Sequence, residues 1–253
     1  MAIIQFILSI IIIGNIYKKM RKSEKDEQIS KSQAIVPIIL GIVSVFISFF
    51  FVLGNGFILL KLGIITNKLP VFPHSLISAF VGAGLPEEIS KLIMMCITIL
   101  IFKPKIKNVY EYILIGAGVG FGFTLLEEFL YGSGSVVITI LRLSTLASHM
   151  MFGIIMATHL GKAKYNKVTG NGSVSIEYLK AILIPITIHT LYDMCTANNH
   201  FLRSEDNSIA VLGVIIGIVG LIVIFITQFV IFKKLKKNTD NYCELKLIDD
   251  KIS

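Results

Sequence analysis

Long apolar runs recur along most of this chain, and they limit the available folds more than any other feature of the sequence. About 20 apolar residues cross the hydrocarbon core of a bilayer as an α-helix, the form that satisfies every backbone amide within one segment. The runs are residues 2–17, 34–60, 75–102, 112–131, 136–160, 177–197 and 208–232. The sequence therefore predicts an all-α, polytopic transmembrane helix bundle with about seven spans, in a single domain of residues 1–253.

The composition agrees with a membrane protein. Hydrophobic residues make up 54% and charged residues 16% of the chain, which is too apolar for an ordinary soluble domain. The net charge of +8 comes from short basic clusters between the apolar runs. That distribution argues against a nucleic-acid partner and favours contact with the lipid bilayer. The three cysteines lie far apart and predict neither a disulfide nor a CxxC site.

Basic residues alternate between the connections, and this alternation predicts the orientation. The connections after the first, third, fifth and seventh runs each carry at least three Lys or Arg residues, whereas the others carry few. Cytoplasmic connections are enriched in Lys and Arg, so we predict a multi-pass cell-membrane protein with its amino terminus outside and its carboxyl terminus in the cytoplasm. Residues 238–253 mix charges without an apolar face, and we expect a mobile cytoplasmic tail there.

Ionisable side chains at membrane depth gather on the four middle runs. The runs 2–17, 34–60 and 208–232 carry none and are predicted to be scaffold. A charged side chain at the bilayer centre costs at least ~2.5–3.5 kcal/mol, so several together mark an ion path, a proton relay or a reaction site. The middle runs hold Glu87, Glu88, Lys91, Glu127, Glu128, Arg142, His149, His159, His189 and Asp193. We predict one polar site shared by these four helices, in a core of residues 75–197.

The stretch Gly82–Lys91 carries the densest set of charges. Glu87 and Lys91 are four residues apart, so they share a helix face and can form an ion pair. Glycines and Pro86 just before them predict a helix that breaks or restarts, with its free amides near the glutamates. We expect Lys91 to hold a carboxylate in position. A purely structural Glu87–Lys91 bridge would leave Glu88 without a partner.

Glycines precede the acidic pair of the fourth run at every second position, and such small residues favour close helix packing. Glu127 shares a helix face with Phe123 and Tyr131. Glu128 is turned away by about 100°, so we expect it near the lip of the site or bound to a neighbouring helix.

The histidines of the fifth and sixth runs differ in their expected roles. His149 lies midway along its run and is a site candidate, whereas His159 is expected to make a hydrogen bond between helices. His189 and Asp193 are four residues apart, so the carboxylate can orient the imidazole ring or both groups can face one ligand.

These residues together resemble the PrsW family of intramembrane proteases, relatives of the CAAX prenyl endopeptidases and of bacteriocin-processing membrane proteins. The matching segments are Pro86–Lys91 for the family's E-E-x-x-K, Gly120–Glu127 with Tyr131, His149–Gly153, and His189–Asp193. They follow one another on consecutive runs. Glu128 stands where the family pattern has asparagine. The CAAX relatives carry histidine at the place of Glu127, so their catalytic geometry does not transfer directly.

The resemblance implies an endopeptidase that cleaves a membrane-anchored protein, such as an anti-sigma factor. In a metal version, His149, His189 and Glu127 hold Zn²⁺, and another glutamate takes the proton from water. In a metal-free version, Glu87 or Glu88 activates the water while the histidines stabilise the oxyanion. The predicted catalytic residues are Glu87, Glu88, Glu127, His149, His189 and Asp193, with Lys91 as a positioning residue. The sequence leaves both versions open.

Two other classes of protein fit part of this pattern. A proton- or cation-coupled transporter would also bury Glu, His and Lys side chains, but the sequence contains no inverted repeat of broken spans. A non-catalytic membrane scaffold would bind a partner helix through the same run of motifs. The complete set of acids, bases and histidines favours the enzyme. The sequence makes no prediction of oligomeric state.

Overall fold

The computed structural model describes residues 2–24, 28–131 and 136–247, which fold as an all-α bundle. The described residues form no β-strand, and one isolated bridge joins Asn108 to Lys246. The helices are α1 (Ala2–Lys22), α2 (Lys31–Lys61), α3 (Val71–Ala79), α4 (Leu85–Phe102), α5 (Val109–Leu130), α6 (Val136–Thr145), α7 (Ser148–Thr169), α8 (Val174–Cys195), α9 (Asn207–Lys237) and α10 (Thr239–Glu244). The predicted fold class is confirmed.

Six helical stretches of the described chain are long and apolar enough to cross a membrane. They are Ile3–Lys22, Lys31–Lys61, Val109–Leu130, Thr139–Thr169, Val174–Arg203 and Asn207–Lys237. The remaining predicted span, residues 75–102, is divided between α3 and α4. Helix α4 carries Glu87, Glu88 and Lys91 within its first two turns. These three charges make it more polar than the six membrane-length stretches. A polytopic bundle is confirmed, and the count of seven spans stays a prediction.

Short polar caps determine where several of the long helices begin. The Ser30 hydroxyl accepts a hydrogen bond from the Gln33 amide, and the Gln33 side chain accepts one from the Ser30 amide, which completes a capping box. Asn108, Ser173 and Asp206 cap α5, α8 and α9 through their side-chain oxygens. Each cap satisfies amides that have no partner within the first helical turn.

A π-helical segment, Phe80–Gly84, joins α3 to α4 where the sequence predicts a break. The Leu85 amide donates to the Phe80 carbonyl, so the helical hydrogen bonds widen instead of being interrupted. Pro86 lies in the first turn of α4, where its missing N–H is tolerated. A side chain at Gly84 would collide with Thr190 of α8, so glycine allows the two helices to approach closely here.

The predicted fifth span, residues 136–160, contains a turn. This turn also divides the stretch Thr139–Thr169 into two helices. Helix α6 ends at Thr145 and α7 begins at Ser148, with a turn at Leu146 and Ala147 between them. The apolar run gave no signal for this turn, because it contains neither proline nor glycine there. As a result, Arg142 and His149 lie on different helices and approach the site from different directions.

Helix α5 lies at the centre of the bundle, and its glycines set its distance from the neighbouring helices. A side chain at Gly116 would collide with the Gly153 carbonyl of α7, and one at Gly120 would collide with the His149 backbone. The alternate glycines of α5 face α2 instead. A side chain at Gly122, for example, would collide with the α2 backbone. The predicted packing role of these glycines therefore agrees with the structure.

The segment after α9 folds back against the start of α5. The Val109 amide donates to the Leu245 carbonyl over 3.1 Å, and the Leu247 amide donates to the Lys107 carbonyl over 2.8 Å. The expectation of a mobile tail is wrong for this segment, because α10 and these backbone hydrogen bonds hold it in place. The rest of the predicted tail, residues 248–253, lies outside the described residues.

Basic helix ends share one side of the bundle. Tyr110 at the start of α5 donates a hydrogen bond to the Met20 carbonyl near the end of α1. Lys22 of α1 and Lys236 of α9 line the same cavity. This arrangement agrees with the charge alternation in the sequence, while the orientation across the membrane stays a prediction.

Replacing Gly116 by alanine tests the close approach of α5 and α7. Gly116→Ala forces its methyl group against the Gly153 carbonyl, and overpacking of this kind costs about 1–3 kcal/mol. Gly54→Ala is the matched control in α2, since a methyl group there meets no atom within 4 Å. Unfolding in detergent should show a lower free energy of unfolding for Gly116→Ala alone. Equal stability of the two variants would contradict the interface.

Candidate active site

A polar cavity of about 310 Å³ lies where α4, α5, α7 and α8 meet. Five of the six predicted catalytic residues line it, namely Glu87, Glu127, His149, His189 and Asp193. Glu88 is fully buried beside it. The structure thus brings together residues that are separated by up to 106 positions in the sequence, Glu87 to Asp193.

The Lys91 ammonium group is fully buried and contacts three predicted site residues. Its Nζ atom lies 2.8 Å from Glu88 Oε1, 3.5 Å from Glu87 Oε2 and 2.9 Å from His149 Nδ1. The same Nζ atom lies 3.8 Å from the centre of the Phe123 ring, a cation–π contact. The predicted pairing with Glu87 is present, but the shorter ion pair is with Glu88.

The contacts of His149 define its tautomer. An ammonium group can only donate, so Nδ1 of His149 accepts from Lys91. The other nitrogen, Nε2, then carries the proton of the neutral ring and donates it in a hydrogen bond to Glu127. Glu127 is thereby held against the imidazole ring from α5, while its side chain stays 23% exposed to the cavity.

His189 is oriented by Glu88, not by the residue that sequence spacing indicated. Its Nδ1 lies 2.8 Å from Glu88 Oε1, and a carboxylate paired with an ammonium group can only accept, so Nδ1 donates. Nε2 faces the cavity, 3.7 Å from both Glu87 Oε2 and Asp193 Oδ2. The Phe152 ring stacks on the imidazole with centroids 4.9 Å apart, which restricts its rotation.

Glu87, His149 and His189 form the group in the described chain whose ligand atoms could hold a metal ion, all within 4.8 Å of one another. Glu87 Oε2 lies 3.9 Å from His149 Nδ1 and 3.7 Å from His189 Nε2. Zinc bonds of about 2.0–2.2 Å place tetrahedral ligand atoms roughly 3.4 Å apart, so small movements would close the site. One carboxylate and two imidazoles also match the donor set of zinc hydrolases.

Two details qualify the predicted metal ligands. The predicted carboxylate was Glu127, whereas the converging group contains Glu87, and Glu127 contacts the opposite nitrogen of the His149 ring. Lys91 already contacts His149 Nδ1, so its ammonium group competes with any cation for that nitrogen. Binding of a metal by this nitrogen and by Glu87 would leave Glu88 as the remaining close partner of Lys91.

Arg142 lines the cavity. The sequence predicted that it lies at membrane depth but predicted no role for it. Its Nη2 atom lies 2.6 Å from Glu128 Oε1 and 3.5 Å from Glu127 Oε1. Glu128 is 4% exposed and also accepts a hydrogen bond from Gln5 of α1. The expectation that Glu128 binds a neighbouring helix agrees with these contacts. Arg142 could be found from the sequence only as a charge within an apolar run.

His159 lies outside the cavity and contacts a neighbouring helix, as its sequence position indicated. Its Nδ1 atom is 2.6 Å from Glu177 Oε2 at the start of α8. Glu177 also accepts a hydrogen bond from Lys180. This cluster therefore stabilises the packing of α7 and α8 without approaching the site.

Comparisons with known proteins agree with the sequence motifs. A family model described as PrsW family intramembrane metalloprotease matches residues 30–232. Protease PrsW of Halalkalibacterium halodurans is 29% identical over 136 residues, 52% of this chain and 60% of the relative. Protease PrsW of Bacillus subtilis is 27% identical over 149 residues, 58% of this chain and 66% of the relative. The chain thus spans less than two thirds of either relative, and no solved structure gives a significant match.

Replacing Lys91 tests whether its buried charge holds the site together. Lys91→Met leaves the Glu88 carboxylate buried without its ammonium partner, and breaking a buried ion pair in this way costs about 3–5 kcal/mol. Lys180→Met removes an exposed partner of Glu177 and should cost only about 0–1 kcal/mol. Unfolding in detergent compares the two variants. A similar small loss of unfolding free energy in both variants would show that the buried charge of Lys91 does not hold the site together.

Proposed function

Because the chain belongs to the PrsW family of intramembrane metalloproteases, we propose that it hydrolyses a peptide bond in a membrane-anchored protein. One observation carries this proposal: two histidines and four carboxylates line one cavity inside a bundle of membrane-length helices. Hydrolysis needs water, a base and donors for the oxyanion, and a polar cavity can supply all three within an apolar bundle. The same compact cluster speaks against a transport path, which would extend polar residues across the bundle.

The two adjacent glutamates have different roles in this proposal. Glu87 is 20% exposed and lines the cavity, so it is the carboxylate that meets water or a metal ion. Glu88 is fully buried, where Lys91 and His189 occupy its Oε1 atom. We assign Glu88 to positioning: it fixes the proton of His189 on Nδ1, which keeps Nε2 directed at the cavity. Removing Glu88 would take away the acceptor that fixes this proton, while Phe152 would still stack on the ring.

Glu87, His149 and His189 are the residues that would hold the metal ion, for which we propose Zn²⁺. When bound, such an ion polarises the peptide carbonyl and makes water acidic enough to lose a proton near neutral pH. The family description and the donor set support this version. Asp193 faces the same His189 nitrogen from one helical turn away, and helps to orient what binds there.

Glu127 is the carboxylate left to move the proton. It is outside the converging group, partly exposed to the cavity, and held in place by His149 and Arg142. We assign it to accept the proton of the attacking water and to return it to the amine that leaves when the peptide bond breaks. In a metal-free protein, Glu87 would accept the proton of the attacking water instead, since Glu87 faces His189 Nε2.

The proposed substrate is a single-span membrane protein whose scissile bond enters this cavity. A peptide bond within an intact helix is protected by its hydrogen bonds, so the substrate must unwind locally before water can attack it. The cavity walls offer hydrogen-bonding side chains such as Tyr131, Tyr192 and Asn198 to the unwound backbone. We propose a single-span anti-sigma factor as the substrate class.

Loss of either cavity group should abolish cleavage. We expect Glu87→Gln and His189→Ala to lower the cleavage rate of a single-span reporter by about 10²-fold or more, because each removes a proposed metal ligand and even the loss of an outer-shell partner costs about 10–100-fold. Glu177→Gln is the control, because it removes a carboxylate that pairs with His159 away from the cavity. Reporter cleavage and the membrane level of each variant are read by immunoblot. Full cleavage by both variants would refute the assignment.

Metal analysis of the purified protein separates the two versions of the chemistry. We expect one metal ion per chain by mass spectrometry, and a large loss of that ion in Glu87→Gln and His149→Ala. Glu127→Gln should keep its metal while losing activity, because Glu127 is outside the ligand group. A protein that holds no metal and still cleaves, unaffected by chelators, would instead assign water activation to Glu87.

A further inference from the structure

A second cavity lies between α1, α5 and α9 and reaches Ala147, whose chain neighbours Leu146 and Ser148 line the active-site cavity. It encloses about 610 Å³ and is lined mainly by apolar side chains, among them Ile16, Phe225 and Phe229. From Phe225 to Lys236, α9 follows this cavity for roughly 16 Å at 1.5 Å per residue. That length is close to half of the ~30 Å hydrocarbon core, the depth of one membrane leaflet. We name this cavity the leaflet groove.

Positive charge is confined to one end of the leaflet groove. Lys19 and Lys22 at the end of α1 and Lys236 at the end of α9 line it there. In the part of the chain that the structure describes, none of these three lysines forms an ion pair with a carboxylate. The groove therefore combines an apolar slot of leaflet depth with three lysines at its mouth.

Gln228 places a polar group inside the apolar part of the leaflet groove. The residue is 7% exposed, and its side-chain Nε2 atom is buried without a hydrogen-bond partner. A buried donor without a partner is costly, so its position calls for an acceptor. This nitrogen is buried away from the cavity surface, so Gln228 is a polar residue of the groove wall and is not assigned as a contact of the occupant.

We infer that the leaflet groove binds one anionic glycerophospholipid. An acyl chain fits the apolar slot, and the phosphate lies among Lys19, Lys22 and Lys236. Charge complementarity selects an anionic head group, since Lys and Arg near a membrane surface attract anionic lipids. This site is separate from the active-site cavity, so the inference stands without the proposed peptidase activity.

Lipid titration of the purified full-length protein in detergent tests this site. Native mass spectrometry counts bound phosphatidylglycerol and phosphatidylcholine. We expect one phosphatidylglycerol to bind more tightly than phosphatidylcholine. The groove variant changes three lining residues, Lys19→Gln, Lys22→Gln and Lys236→Gln. Each basic residue contributes about fivefold at a membrane surface, so this variant should bind on the order of 10²-fold more weakly.

A matched variant controls for the loss of three charges. It changes three exposed lysines outside the leaflet groove, Lys103→Gln, Lys105→Gln and Lys167→Gln. This variant should bind phosphatidylglycerol as the unaltered protein does, and inorganic phosphate should not displace the lipid. Equal weakening in both triple variants, no preference for phosphatidylglycerol, or full displacement by inorganic phosphate would each overturn the inference.

Photo-crosslinking gives a readout that does not depend on any variant folding. A phosphatidylglycerol with a diazirine in its acyl chain is added to membranes that contain the unaltered protein. Crosslinked peptides should map to residues 16–23 and 225–236, which form the two walls of the leaflet groove. Labelling spread evenly over α2 and α9, whose outer faces also meet lipid, would overturn the inference.

Discussion

The buried ammonium group of Lys91 is the constraint on which the site depends. A charge removed from water is tolerated only where opposite charges and hydrogen-bond acceptors surround it. Here Glu87 and Glu88 approach it from its own helix, His149 from α7, and the Phe123 ring from α5. Satisfying this one charge therefore fixes the relative positions of three helices and of three polar side chains.

Close helix packing makes that arrangement geometrically accessible. Glycines on α5 let its backbone touch α7 near His149, and Gly84 lets the chain before α4 touch α8 near Thr190. The π-helical segment, Phe80–Gly84, precedes Glu87 directly, so α4 begins in contact with α8. Without these small residues the helix axes would stand further apart, and side chains of ordinary length would not converge on a shared cavity.

The cavity gives chemically identical carboxylates different tasks. Glu88 is enclosed and divides its oxygen between an ammonium group and an imidazole, which makes it a fixed part of the framework. Glu87 and Glu127 keep part of their surface open to the cavity, on either side of His149. Arg142 holds Glu127 from a separate short helix, so the wall of the cavity and the orientation of the proposed proton acceptor are coupled.

Hydropathy and helical spacing determined the all-α bundle, the middle helices that hold the polar site, and the shared face of Glu87 and Lys91. Periodicity places residues around one helix, and that information is local. The tertiary structure alone decided that Glu88 orients His189 and that Lys91 contacts His149. Such contacts depend on the rotation, crossing and close approach of helices that are distant in sequence, which no single segment encodes.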